Sequence, residues 1–162
     1  MRKQKGFSLI ELLIVVAIIL IIAAIAIPNL LRSRMAANEA SAVGSIRSIN
    51  TAQVTYASTY PSTGFATSLA NLGGTPGNPA TSAAAQLLDP VLGCSTGTDC
   101  QKSGYKFNIA GTSGTPIVTY TVNGVPVTTG QTGQRGFFSD ASGVIRFTTD
   151  GNIPTTANSA LQ

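Results

Sequence analysis

Histidine and tryptophan are absent from this chain of 162 residues, and only six of its residues are acidic. Without histidine, neither a nucleophile–histidine pair nor an imidazole-based metal site can form. No other catalytic constellation appears in the sequence. We therefore expect a protein that is not an enzyme and carries no cofactor.

Charge is also scarce, because charged residues make up 10% of the chain against about a quarter in typical soluble domains. The formal net charge is +4, and Arg2, Lys3 and Lys5 supply three of the ten basic residues. Without them, seven basic residues face six acidic ones. The positive charge is thus concentrated at the N-terminus, and we infer no specific nucleic-acid partner.

Cysteine occurs only twice, at Cys94 and Cys100. A metal site would need further soft or imidazole ligands nearby, and none are present. The spacing favours a disulfide that closes a small loop, worth about 2 kcal/mol by chain entropy, in an oxidising compartment such as a bacterial periplasm or cell surface. Two unrelated reduced thiols are the alternative.

The chain does contain one long apolar run, in which every residue from Leu12 to Ile27 is apolar. Taken with residues 7–11, this gives 21 residues, or about 31 Å of α-helix, which matches a hydrocarbon core of about 30 Å. The basic residues before the run predict that the N-terminus stays in the cytoplasm. We therefore expect a single pass through a membrane.

Three interpretations fit such a segment. It could be a secretory signal peptide with a cleavage site at Ala24-Ile25-Ala26, a plain anchor, or a prepilin-type leader that is cut before the apolar run. The distinguishing residue is Glu11, since a carboxylate in a spanning helix costs about 2.5–3.5 kcal/mol, less near its end. A signal peptide or plain anchor gains nothing from this carboxylate, so Glu11 requires a partner.

The helical pattern continues beyond the apolar run to about residue 60. Larger or apolar residues recur there mostly at intervals of three and four, which predicts an amphipathic helix: Leu31, Met35, Ala42, Ile46, Ile49, Gln53 and Tyr56. Pro28 lies inside this helix and removes one backbone hydrogen bond, so we expect a kink there. The alternative is that Pro28 ends the membrane helix.

Residues 6–13, GFSLIELL, resemble the signature of type IV pilins and the related pseudopilins, G-F-[ST]-L-[IV]-E-[LVM]. Pro28 also falls where that family often carries a proline. The resemblance implies that a prepilin peptidase cleaves between Gly6 and Phe7 and N-methylates Phe7. It implies further that an inner-membrane assembly platform extracts the subunit from the bacterial inner membrane into a helical filament. In that filament, the resemblance implies, Glu11 pairs with the amino terminus of a neighbouring copy or another pilin.

The rest of the chain has strand patterns after a Gly-, Ala- and Pro-rich connection, in which residues 82–88 suggest a short helix. Residues 104–109 alternate as a strand. The pair Asn123-Gly124 between residues 116–122 and 125–128 predicts a hairpin, and Pro126 makes the return segment an edge strand or no strand. Residues 136–139 and 144–148 flank a turn that ends at Gly143. We predict an α+β, pilin-like fold with three to five antiparallel strands packed on the long helix.

The predicted organisation is a cleaved leader at residues 1–6, a membrane and filament-core helix at 7–28, and a periplasmic or surface head at 29–162. We expect no metal site. The only candidate ligands, Asp140 and Asp150, lie in Gly-containing turns, and we expect them to hydrogen-bond to the backbone of those turns instead.

Three functions follow from these features: a type IV pilus subunit, a pseudopilin of a type II secretion system, or a membrane-anchored binding module that does not polymerise. Calcium-binding heads of the major pseudopilins carry more acids and an Asp-Pro-Trp-Gly-like segment, whereas Asp89-Pro90 here precedes Val91. The sequence therefore favours a pilin over a pseudopilin.

Overall fold

The computed structural model describes residues 6–94, 99–111 and 114–161. The chain divides into two compact units, Met1–Arg34 and Met35–Gln162. Helix α1, Leu9–Thr59, runs through the division and contains Pro28 in its interior. Pro28 therefore does not end the helix, which matches the favoured interpretation, and the kink at Pro28 stays a prediction.

The second half of α1 buries one face in the head unit. The buried positions recur every three or four residues, as expected for a helix that lies on a core: Ala42, Ser45, Ile46, Ile49, Ala52, Gln53 and Tyr56. The predicted stripe is confirmed over this stretch. It is wrong at Leu31, which is exposed.

The head contains a five-stranded antiparallel sheet in the order β1-β2-β3-β4-β5. Its strands are β1 Cys100–Lys102, β2 Tyr105–Gly111, β3 Tyr120–Pro126, β4 Gly136–Asp140 and β5 Arg146–Thr148. Each strand pairs with the next along the chain. Together with α1, this sheet confirms the predicted α+β architecture.

The core lies between the helix and one face of the sheet. Tyr105, Phe107 and Ile109 alternate along β2 and are all buried, as the alternation in the sequence predicts. They belong to the same apolar cluster as Ile46 and Ile49 of α1. The sheet and the helix therefore share one core.

The predicted hairpin at Asn123-Gly124 is wrong, because both residues lie inside β3 and pair with β2 and β4. Gly124 faces the core, where an added Cβ would lie 3.1 Å from the Phe107 ring and 3.3 Å from Ile46 Cδ1. The glycine thus lets the helix approach the sheet closely, and close approach of another element is a common reason for a glycine inside a strand. Pro126 is the last residue of β3 and lies beyond the stretch that pairs with β4, so its missing N–H interrupts no pairing with β4.

The connection before the sheet also differs from the prediction. Residues 82–88 do not form a helix, and a β-bridge joins Thr81 to Ala84 instead. The short helix α2 lies earlier, at Leu69–Leu72, where the Ser68 side chain accepts a hydrogen bond from the Asn71 N–H. A serine that caps the first turn is a local signal, and the sequence prediction missed it.

The last predicted turn is confirmed. Gly143 has a φ of +74°, and its N–H donates to the Asp140 carbonyl at 2.9 Å. This left-handed conformation is one that glycine adopts without steric cost. The strand that follows begins at Arg146 rather than at Val144.

Candidate functional site

The N-terminal segment combines the predicted cleavage site, the lone carboxylate and the apolar run. Residues 6–8 precede α1, and the Leu12 N–H donates to the Ser8 carbonyl at 3.2 Å. The Gly6–Phe7 peptide bond therefore lies outside the helix. An added Cβ on Gly6 would have no neighbour within 4 Å, so packing within the described chain does not require glycine at this position.

Glu11 is in the first turn of α1, where its Oε2 atom accepts a hydrogen bond from the Ser8 N–H at 2.9 Å. This is the contact that a glutamate makes at the third helical position of a capping box. It also places the negative charge near the positive end of the helix dipole. The Ser8-x-x-Glu11 spacing signals this contact in the sequence, and the sequence analysis missed it. Glu11 therefore has a local role besides any role toward another chain.

No other part of the described chain buries the large apolar side chains that follow Glu11. All the large apolar side chains from Leu12 to Ile27 are exposed. By length and composition, α1 contains a stretch able to cross a membrane. Exposure on every side of a helix is characteristic of a segment that lipid or other chains must cover.

In the head, Cys94 and Cys100 form the predicted disulfide, with a Cα–Cα distance of 5.6 Å. Beside it, Lys102 Nζ lies 2.9 Å from Asp89 Oδ2, and Asp89 Oδ1 accepts the N–H groups of Val91 and Leu92. Burial raises the pKa of Asp89, but these hydrogen bonds and the Lys102 charge outweigh it and hold that pKa below its ordinary value. The Asp89–Lys102 pair thus links the chain before the disulfide to β1.

The two candidate metal ligands bond within their own turns. Asp140 accepts the Ser142 N–H, and Asp150 accepts the Asn152 N–H at 3.1 Å. Hydrogen bonds from Asn152 lower the pKa of Asp150. Among residues 6–94, 99–111 and 114–161, no three Cys, Asp or Glu side chains come together as a possible metal site.

Glu39 makes contacts that the sequence analysis did not anticipate. Its Oε1 atom accepts the N–H groups of Gln134 and Arg135 at 2.8 and 3.2 Å, and its Oε2 atom lies 3.2 Å from Arg135 Nε. Arg135 also lies over the Phe147 ring, 5.5 Å from its centre. The contact joins α1 to a loop almost a hundred residues later, so no local pattern could reveal it.

Comparison with known proteins identifies the class of the N-terminal segment. Residues 1–27 match the family model of the prokaryotic N-terminal methylation motif. This confirms the resemblance on which the sequence prediction rests.

The relatives that match are pilins and a pseudopilin. The chain is 67% identical over 39 residues to the major component of the type IV wide pilus of Thermus thermophilus, covering 24% of this chain and 30% of that protein. It is 44% identical over 54 residues to the type IV major pilin of Myxococcus xanthus, covering 33% and 24%. It is 41% identical over 66 residues to the type II secretion system core protein G of Vibrio cholerae, covering 39% and 45%.

These matches span between about a quarter and a half of each relative. No solved structure gives a significant match. The two pilin relatives are structural subunits rather than enzymes, as the sequence predicts for this chain.

Proposed function

We propose that this chain is a structural subunit of a type IV pilus that polymerises through the first half of α1. The observation that carries the proposal is the exposed apolar first half of α1, which begins at Leu9, shortly after the Gly6–Phe7 bond, and has the carboxylate of Glu11 in its first turn. The methylation motif at residues 1–27 supports it.

In this proposal residues 1–6 are a leader, of which residues 1–5 lie outside the described structure. A prepilin peptidase cleaves between Gly6 and Phe7 and methylates the new amino group. The position of this peptide bond ahead of the helix supports cleavage, since a protease needs an accessible backbone that is not hydrogen-bonded into a helix. The side-chain space around Gly6 is open, so the requirement for glycine comes from the enzyme rather than from the fold.

The mature subunit is then held in the bacterial inner membrane by residues 7–28 until the assembly platform extracts it. In the filament, the apolar helices of many copies cover one another. Within such a bundle an unpaired carboxylate is costly, and pairing Glu11 with the amino group of Phe7 on a neighbour removes most of that cost. Glu11 thereby rewards one axial position of the incoming subunit and penalises the others. Pairing of this kind acts as a register device rather than as a large source of stability.

The experiment is to express the chain in a cell that carries a prepilin peptidase and an assembly platform, shear the cells, and examine the sheared fraction. The proposal predicts filaments by electron microscopy that contain this chain by mass spectrometry. Recovery of the chain only in the membrane fraction, with residues 1–6 still attached, would support the anchored module instead.

A pseudopilin of a type II secretion system is the second candidate, and the match to the Vibrio cholerae protein favours it. The experiment separates the two functions by location. A pilus carries the chain outside the cell, where shearing releases it. A pseudopilus keeps it in the periplasm, and its loss blocks secretion of exported enzymes.

A further inference from the structure

The head carries a groove on the side of α1 that the sheet leaves uncovered. Its volume is about 360 Å³, and its walls include Ala40, Val43 and Arg47 of α1 together with Phe137 and Leu161. Three charged residues, Glu39, Arg47 and Arg135, line the rest of the groove. Glu39 and Arg135 form an ion pair with each other. Arg47 is exposed and forms no ion pair with any residue that the structure describes.

The same head presents a turn of matching chemistry. Asp150 is exposed and also lacks an ion pair within the described residues, and three residues later Ile153 exposes 55% of its surface. Gly151 and Pro154, which flank this apolar side chain, are buried, so the turn is anchored. A carboxylate and an apolar side chain thus project from one short, fixed segment.

Two other acidic residues of the head lack an ion pair in the described structure, Asp99 and Asp140. Neither matches the groove as well. Along the chain, the exposed large apolar residue closest to Asp140 is Val144, which is only 37% exposed. Asp99 has no exposed large apolar residue within three described residues on either side. Of these three acidic residues, Asp150 is the one with a strongly exposed apolar side chain, Ile153, close to it in the sequence.

We propose that the turn at residues 149–154 of one copy docks into this groove of a second copy, with Ile153 against its apolar side chains and Asp150 paired to Arg47. The proposal rests on the proposed function, because it assigns a contact between heads of assembled subunits. The groove and the turn share no residue, so the contact is heterologous: each head has one free groove and one free turn. Contacts of this kind form a ring where the rotation between copies closes and an open helical filament where it does not, and a pilus is the second case.

Complementary charges at a contact of this kind fix its register and exclude wrong partners. Reversing one charge leaves two like charges facing each other, and reversing both restores the pair. Arg47→Glu and Asp150→Arg should each lower the yield of sheared filaments roughly fivefold or more, and the double variant should recover most of the loss. Lys106→Glu is the control, since Lys106 lies on the opposite face of β2 from the core and has no ion pair in the described chain.

A second measurement does not depend on yield. Cysteines introduced as Ala40→Cys and Ile153→Cys should cross-link neighbouring copies in oxidised filaments and give a ladder on a non-reducing gel. The pair Ala40→Cys and Val118→Cys is the control, because Val118 is exposed but lies outside both the groove and the turn. Protease resistance of every variant confirms that its head is folded.

Filaments from the unaltered chain, loss with each single reversal, recovery in the double variant and a ladder specific to positions 40 and 153 are the expected results. A double variant no better than the single ones, with no specific ladder, would overturn the docking and leave the proposed function intact. If the unaltered chain makes no filaments, the proposed function fails and the docking fails with it.

Discussion

The two halves of helix α1 are both rich in apolar residues, yet the chain covers only those of the second half. From Leu12 to Ile27 the large apolar side chains cover all sides of the helix and are exposed. From Ala42 to Tyr56 most of the apolar side chains lie on one face and are buried, and Val54 on another face is exposed. The sheet of the same molecule can bury an apolar face that lies on one side of a helix. An apolar surface on every side requires surroundings that the chain does not supply, either lipid or other helices.

The largest effect that would sharpen this comparison is expected at Gly6. Gly6→Val should abolish processing, because a peptidase pocket fitted to hydrogen leaves no room for a side chain, while the fold is unaffected since a Cβ there has no neighbour within 4 Å. Gly44→Val is a matched control, as a Cβ on Gly44 has no such neighbour either. Normal cleavage of the Gly6→Val chain, measured by its intact mass, would contradict the assignment.

The second effect separates the charge of Glu11 from its hydrogen bond to Ser8. Glu11→Gln can still accept the Ser8 N–H, as glutamine does in capping boxes, whereas Glu11→Ala cannot. If the charge sets the register, both variants are cleaved but assemble poorly, and the sheared filament fraction falls at least tenfold (roughly, from the loss of a buried charge pair). Efficient assembly of Glu11→Gln would show that the local cap, rather than pairing between copies, explains this carboxylate.

The third effect tests the other half of the helix. Ile46 is fully buried in the apolar cluster that contains Phe107, and its Cδ1 atom lies beside Gly124, so Ile46→Ala should lower the free energy of unfolding of the head by about 2–5 kcal/mol. Val54 is on the same helix and 63% exposed, and Val54→Ala should change it by less than about 0.5 kcal/mol. Denaturant unfolding of the full chain in detergent micelles, followed by near-ultraviolet circular dichroism, measures both. Equal losses would mean that α1 does not pack as described.

The smallest effect concerns the Asp89–Lys102 pair, whose side chains are 42% and 36% exposed. Solvent screening limits the pair to about 1 kcal/mol. Since the pKa of Asp89 is lowered from 3.8 in the folded head, this contribution is present above that ordinary value and is lost as the pH falls through the folded value. Asp89→Asn should therefore remove part of the acid sensitivity of unfolding, and Lys102→Gln should remove a smaller part of it. If the free energy of unfolding of both variants fell with decreasing pH as it does in the unaltered chain, the pairing would be contradicted.

The features that the sequence predicts correctly are local or periodic. The end of α1 near residue 60, the alternation in β2, the Asp140–Gly143 turn and the disulfide each follow from neighbouring residues. The buried stripe of α1 is predicted from its spacing, apart from Leu31, which the spacing places on the stripe but no other part of the described chain covers.

The sequence predictions fail where contacts between residues far apart in the chain determine the structure. Asn123-Gly124 has the local signal of a hairpin, but close packing against Phe107 and Ile46 uses the glycine inside a strand. Glu39 bonds to a loop far along the chain, which no spacing reveals. In the N-terminal segment the limit is different, because the partners of Phe7 and Glu11 in the proposed filament belong to other molecules.

The most direct test of the proposed function is the intact mass of the chain recovered from sheared filaments. The expected chain begins at Phe7, carries one added methyl group on its amino terminus, and retains the Cys94–Cys100 disulfide. A filament-free preparation in which the chain still carries residues 1–6 and remains with the membrane would contradict it.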